Sequence, residues 1–239
     1  MTEVAPKGKR NMHSWKSDST ILLVEDDPVC RLFCRQNLSK TGSPVIETES
    51  GKEAIRLALL HRPGFVLIDL NLPDLSAYQV LDRLRDAWPV MPGKSRVIGI
   101  SADHSRQVAR DMLNAGCQQV LFKPFSAESL MSAISYPGEV SSGPAPIDLR
   151  CAFLRELPQS LLDLDNAISR MQWRHARHIL HRFGGAASFA GFGQLAGLVR
   201  ALRWHIRQPG DCVALADSYL AFLQCASEVL NEGPGASTR

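Results

Sequence analysis

A chain of 239 residues, 45% hydrophobic and with a formal net charge of +3, is long enough for one or two ordinary domains, each able to bury a core. The charge is too small to favour nucleic acid or an anionic membrane surface, and no run approaches the roughly 18 apolar residues of a membrane span, so no membrane insertion is expected. The six cysteines follow no metal-ligand spacing and sit in apolar patterns, as buried thiols of a reducing cytoplasm do.

Residues 1–19 are polar, without periodicity or a signal-peptide core, and read as a flexible tail. Over residues 20–135, apolar runs alternate with amphipathic stretches. The runs are ILLV at 21–24, PVIE at 44–47, FVLI at 65–68, RVIGI at 96–100 and QVLF at 119–122. The amphipathic stretches lie near 28–39, 51–61, 76–88, 104–115 and 126–135. Five strands alternating with five helices predict an α/β fold, a doubly wound parallel sheet covered on both faces. YPGEVSSGPAP at 136–146 reads as a linker. Residues 147–232 show only helical spacing, in segments near 148–156, 158–170, 172–189, 192–207 and 211–231. Pro158 suits a helix first turn and Gly210 a break, so an all-α four-helix bundle is expected, followed by a short tail at 233–239.

Parallel strands bring their C-terminal ends to one edge. Glu25, Asp26 and Asp27 end the first strand, Asp69 the third and Ser101 the fourth, while Lys123 follows the fifth. Singly, such residues are ordinary caps and turns. Together, converging carboxylates repel one another unless a hard cation such as Mg²⁺ binds, and a lysine and a hydroxyl beside them suit a phosphoryl group.

ILLVEDDP, LIDLNLPD, GISA and FKPF, in that order, resemble the signatures of response-regulator receiver domains, which have a flavodoxin-like fold. The resemblance implies that Asp69 accepts a phosphoryl group from a phosphohistidine. It implies that Asp26, Asp69 and the Asn71 carbonyl bind Mg²⁺, with Glu25 reaching the metal through water. Lys123 and Ser101 would contact the phosphoryl oxygens. The chain departs from the family at Ala77, often glycine, at Val120, usually aromatic, and at Leu72, frequently methionine.

The stretch 172–189 carries His175, His178 and His181. At about 100° per residue, Ala176, Ile179, Leu180, Phe183, Ala186, Ala187 and Ala190 form one apolar face, and His181 lies opposite its centre. Around His181 fall Arg174, Arg177, Gly184, Gly185 and Ser188. Paired glycines each cost roughly 1 kcal/mol in a helix, which suits a surface that must stay open to a docking partner. The arginines could steady phosphoryl oxygens.

HRFGGAA at 181–187, with LRELPQSLLDLDNAI upstream and GQLAGLVRAL downstream, is similar to histidine phosphotransfer (HPt) domains, although Gly184 stands where that family has lysine. The combined resemblance implies a two-component phosphorelay protein of the cytoplasm. It would be a carrier with intrinsic aspartyl-phosphate turnover, not a kinase with its own ATP site. The implied partners are a sensor histidine kinase or another phosphotransfer or receiver protein. An alternative leaves His181 idle, with phosphorylation of Asp69 controlling what the bundle docks. Residues 148–232 hold nine Arg against eight Asp or Glu and no Lys, and no helix-turn-helix pattern is visible, so nucleic acid is not expected.

Overall fold

The computed structural model describes residues 19–87, 95–134, 148–207 and 212–232. Strands β1 (Ile21–Val24), β2 (Val45–Thr48), β3 (Phe65–Asp69), β4 (Arg96–Ser101) and β5 (Gln119–Phe122) form one parallel sheet in the order β2-β1-β3-β4-β5. β1, β3 and β4 are buried on both faces, which explains why their sequences read as continuous apolar runs rather than alternating ones. β2 lies at an edge and is only half-buried.

Five helices cover the sheet: α1 (Pro28–Leu38), α2 (Gly51–His61), α3 (Ala77–Ala87), α4 (Arg106–Asn114) and α5 (Ala127–Ala133). Their starts are set by local chemistry. Asp27, Ser50, Ser105 and Ser126 each accept a backbone N–H of the first turn, and Pro28 opens α1, where no donor is needed. One core lies on each side of the sheet: Val66, Val80 and Leu84 with α2 and α3, and Leu67, Ile98 and Leu130 with α1 and α5. The chain reverses its winding between β1 and β3, and ligands of such sheets bind where strand ends flank that reversal.

The remaining helices are α6 (Leu149–Ser169), α7 (Trp173–Phe189), α8 (Gly193–Arg207) and α9 (Cys212–Glu232). They pack as a bundle around Phe153, Phe183, Phe192 and Phe222, whose rings lie edge-on or tilted 5.1–5.4 Å apart. The predicted apolar face of α7 is this core: Ala176, Ile179, Leu180, Phe183, Ala186, Ala187 and Ala190 are all buried.

Three expectations need correction. Pro158 does not start a helix but lies inside α6. Proline withholds an N–H from the Leu154 carbonyl, yet Phe153 and Leu157 before it and Leu164 after it are buried in the bundle, and that burial outweighs the local preference. Secondly, α9 is long and apolar enough to cross a membrane by length and composition, with a mean hydropathy of 1.3 over Cys212–Asn231. Asp217, Ser218, Gln224, Ser227 and Glu228 interrupt it, so a search for an unbroken apolar run passes over it, and the face with Phe222, Ala226 and Val229 is buried in the bundle core. Thirdly, not every cysteine is buried: all six are free, but Cys212 is exposed and Cys151 half-buried. The proposed linker 136–146, Gly210 and nearly all of both tails lie outside the described residues.

Candidate functional site

The strand ends deliver a buried charged cluster. Glu25 follows β1, Asp69 closes β3, Ser101 closes β4 and Lys123 follows β5, and all four are buried. Lys123 Nζ donates to Glu25 Oε1 at 2.7 Å and to Asp69 Oδ2 at 2.5 Å. The Asn71 amide donates to Asp69 Oδ1 at 3.0 Å, and the Asp103 amide donates to Ser101 Oγ at 3.0 Å. His104, which no sequence pattern singled out, stacks on Phe122 and donates from Nε2 to the Lys123 carbonyl at 2.9 Å.

The cluster sorts its charges. Burial alone would raise Asp69, but the Lys123 ammonium and the neighbouring His181 hold it well below the usual carboxylate range. Burial, and then the Asp69 charge, push Glu25 well up. Burial also raises Asp27, to about 6. For Lys123, burial opposes the charge but the surrounding acids, Asp69 first, outweigh it.

Carboxylate oxygens of Glu25, Asp26 and Asp69 lie within 4.8 Å of one another. Glu25 Oε2 and Asp26 Oδ2 are buried without a hydrogen-bond partner. Three hard oxygen donors, two of them with unmet capacity, fit a hard divalent cation.

The helical bundle covers this cluster. His181 Nε2 lies 3.0 Å from Asn71 Nδ2 and 3.9 Å from Asp69 Oδ1. His178 Nε2 lies 3.1 Å from Asp26 Oδ2, close enough for an ion pair when protonated but out of hydrogen-bond alignment. A cleft of about 1050 Å³ opens beside them, between the Asn71–Ser76 segment and the arginine-rich side of α7 and α8.

Residues 21–135 match the model of the response regulator receiver domain, and residues 148–231 match that of the Hpt domain. The chain is a receiver domain followed by an Hpt domain. The transcriptional regulatory protein KdpE of Mycobacterium tuberculosis is 33% identical over 114 residues, covering 48% of each chain, so this chain spans about half the length of that relative. The chemotaxis protein CheY of Bacillus subtilis is 28% identical over 116 residues, 48% of this chain and 93% of CheY. The solved receiver domain of a Francisella response regulator is 26% identical, with a TM-score of 0.45, and the match covers 49% of this chain and 93% of that one.

On the receiver, the structure gathers Glu25, Asp26, Asp69, Asn71, Ser101 and Lys123 at one point. On the Hpt domain the outcome is mixed. Arg174 and Arg177 line the cleft and are exposed. Gly185 faces the receiver: a Cβ there would lie 3.4 Å from Lys123 Cδ. Gly184 does not: its Cβ would lie 3.1 Å from Val199 Cγ1 of α8, so the half-buried position packs against α8 rather than on the docking face. Ser188 Oγ donates to the Gly184 carbonyl one turn back, and so is tied to its own helix. His181 itself is only 5% exposed, not open as the wheel suggested, because the receiver covers the face that the bundle leaves free.

Sequence reasoning missed the receptive surface of the receiver. Val29 belongs to the bundle's buried cluster, and Phe33 and Phe125 meet Phe189 of α7. A signal was present. Cys30, Cys34 and Leu38 face the sheet, yet Val29, Leu32 and Phe33 make α1 apolar on a second side as well, as expected of a helix covered from two directions.

Proposed function

We propose that the chain is a two-component phosphorelay protein of the cytoplasm in which Asp69 accepts a phosphoryl group from a phosphohistidine and His181 carries one. The observation that carries this reading is the buried group of Glu25, Asp26 and Asp69 spanned by Lys123. Asp69 is the nucleophile because it lies against both Lys123 and the bundle's His181, whose influence holds its carboxyl below the usual range despite its burial. Asp26, Asp69 and the Asn71 carbonyl would hold Mg²⁺, assisted by Glu25, and the ion would supply charge neutralisation at the phosphoryl group. Lys123 orients the phosphoryl oxygens, and the Ser101 hydroxyl, which here donates to the Asp103 carbonyl at 3.4 Å, turns to donate to them. Arg174 and Arg177 offer further positive charge at the cleft mouth.

The partners are a sensor histidine kinase or another phosphotransfer or receiver protein, with no role for nucleic acid. The functional units are residues 20–135 and 147–232, joined by 136–146, where limited proteolysis should cut first. Radiolabel transfer from a phosphorylated kinase tests the assignment. Asp69→Asn should lose the base-labile label and His181→Gln the acid-labile, base-stable label. Base-stable label persisting in His181→Gln sinks the histidine assignment, and a helical domain that never takes label leaves it a docking module only.

A further inference from the structure

The two side chains of the relay face each other inside one molecule, with His181 Nε2 3.9 Å from Asp69 Oδ1. The interface around them is apolar at its edge. Phe189 sits between Phe33 and Phe125 with ring centroids 5.1 Å from each, and Val29 is 1% exposed within the bundle's own cluster. Gly185 lies on this docking face, where an added Cβ would stand 3.4 Å from Lys123 Cδ in ordinary contact. His181 Nδ1 is buried without a partner while Nε2 faces the Asn71 amide, so the ring turns the nitrogen that accepts from Asn71 toward Asp69.

We propose that the receiver with which His181 exchanges phosphoryl groups is the one in its own chain. This rests on the relay reading above. In the transfer, the Nε2 lone pair of neutral His181 bonds to the phosphorus of phosphorylated Asp69. The P–O bond to Asp69 breaks, its electron pair stays on the carboxylate, and the ring proton remains at the buried Nδ1 while the domains are closed, passing to water only when they part. The reverse step returns the group by the same path. No atom has to cross solvent, because the attacking and leaving atoms already face each other. Closure has a second consequence. Asp69 is 0% and His181 5% exposed, so neither meets an outside kinase or receiver until the domains part.

A connection of about a dozen residues gives the tethered sites an effective concentration on the order of millimolar. The test uses the full chain with Mg²⁺ and radiolabelled acetyl phosphate, following conversion of base-labile into base-stable label. The wild-type rate constant should not change over about a hundredfold range of protein concentration. An equimolar mixture of Asp69→Asn and His181→Gln chains, at about 1 µM, should be slower by about a hundredfold or more and should accelerate with concentration. A mixture as fast as wild type, or a wild-type rate constant that rises with concentration, overturns the intramolecular route and leaves the relay reading standing. Base-labile label without base-stable label in either sample overturns both. Gly185→Leu, whose side chain would run into Lys123, should bring the wild-type rate down toward that of the mixture while helical circular dichroism is kept. An unchanged rate would overturn the docking geometry.

Discussion

In the receiver, charged side chains are buried where the strands end; in the Hpt bundle the buried set is almost wholly apolar and His181 is turned away from it. The receiver therefore carries its chemistry in its own core: Glu25, Asp69 and Lys123 are desolvated together and tolerable only because they pair. The bundle carries His181 on its surface, and the side chain acquires a desolvated environment only through the receiver it meets. A site made by one domain is complete on its own, whereas a site made on one helix is completed by docking.

The largest effect that tests this difference is metal removal. Excess chelator, or Asp26→Ala, should reduce labelling of Asp69 by acetyl phosphate to background, because the clustered carboxylates then repel the donor. Label already on His181 of the Hpt domain should be far less sensitive, since no carboxylate set of its own surrounds it. Undiminished Asp69 labelling in chelator would erase the contrast. Next in size is the bundle core. Phe222 is fully buried against Phe183, and Phe222→Ala should cost about 3–5 kcal/mol, read as a lower denaturant midpoint of the helical domain. A loss below about 1 kcal/mol would mean that the bundle is not held by this aromatic core.

The same contrast explains what the sequence disclosed. All five strands lie within a residue of the apolar runs, and the site residues followed because parallel topology alone brings strand ends together. The core face of α7 was equally plain from its period. The surroundings of His181 were not, because the periodicity of one helix reports which side faces its own bundle and carries nothing about a second domain. Pro158 misled for a related reason: a local preference of about 3 kcal/mol is overridden where neighbours such as Phe153 and Leu157 are fully packed. Gly184 and Gly185 looked equivalent on the wheel, yet one faces α8 and the other the receiver.

That pair gives the smallest and most local prediction. Replacing a helical glycine with alanine gains roughly 0.8–1 kcal/mol from backbone entropy where the methyl group has room. At Gly185 the added Cβ would stand 3.4 Å from Lys123 Cδ, ordinary contact with a flexible stem, so Gly185→Ala should stabilise the Hpt bundle by nearly the full amount. At Gly184 it would stand 3.1 Å from Val199 Cγ1, and Val199 is fully buried between helices. The valine must give by a few tenths of an ångström against packed neighbours, so Gly184→Ala should gain clearly less or lose stability. Gly184→Lys, which would restore the residue the Hpt family carries, should start its side chain against α8 and destabilise further. Urea midpoints of the three variants, with unchanged slopes, decide the matter. Equal gains at both glycines would mean that α7 and α8 pack more loosely than described, and that both glycines serve the docking face.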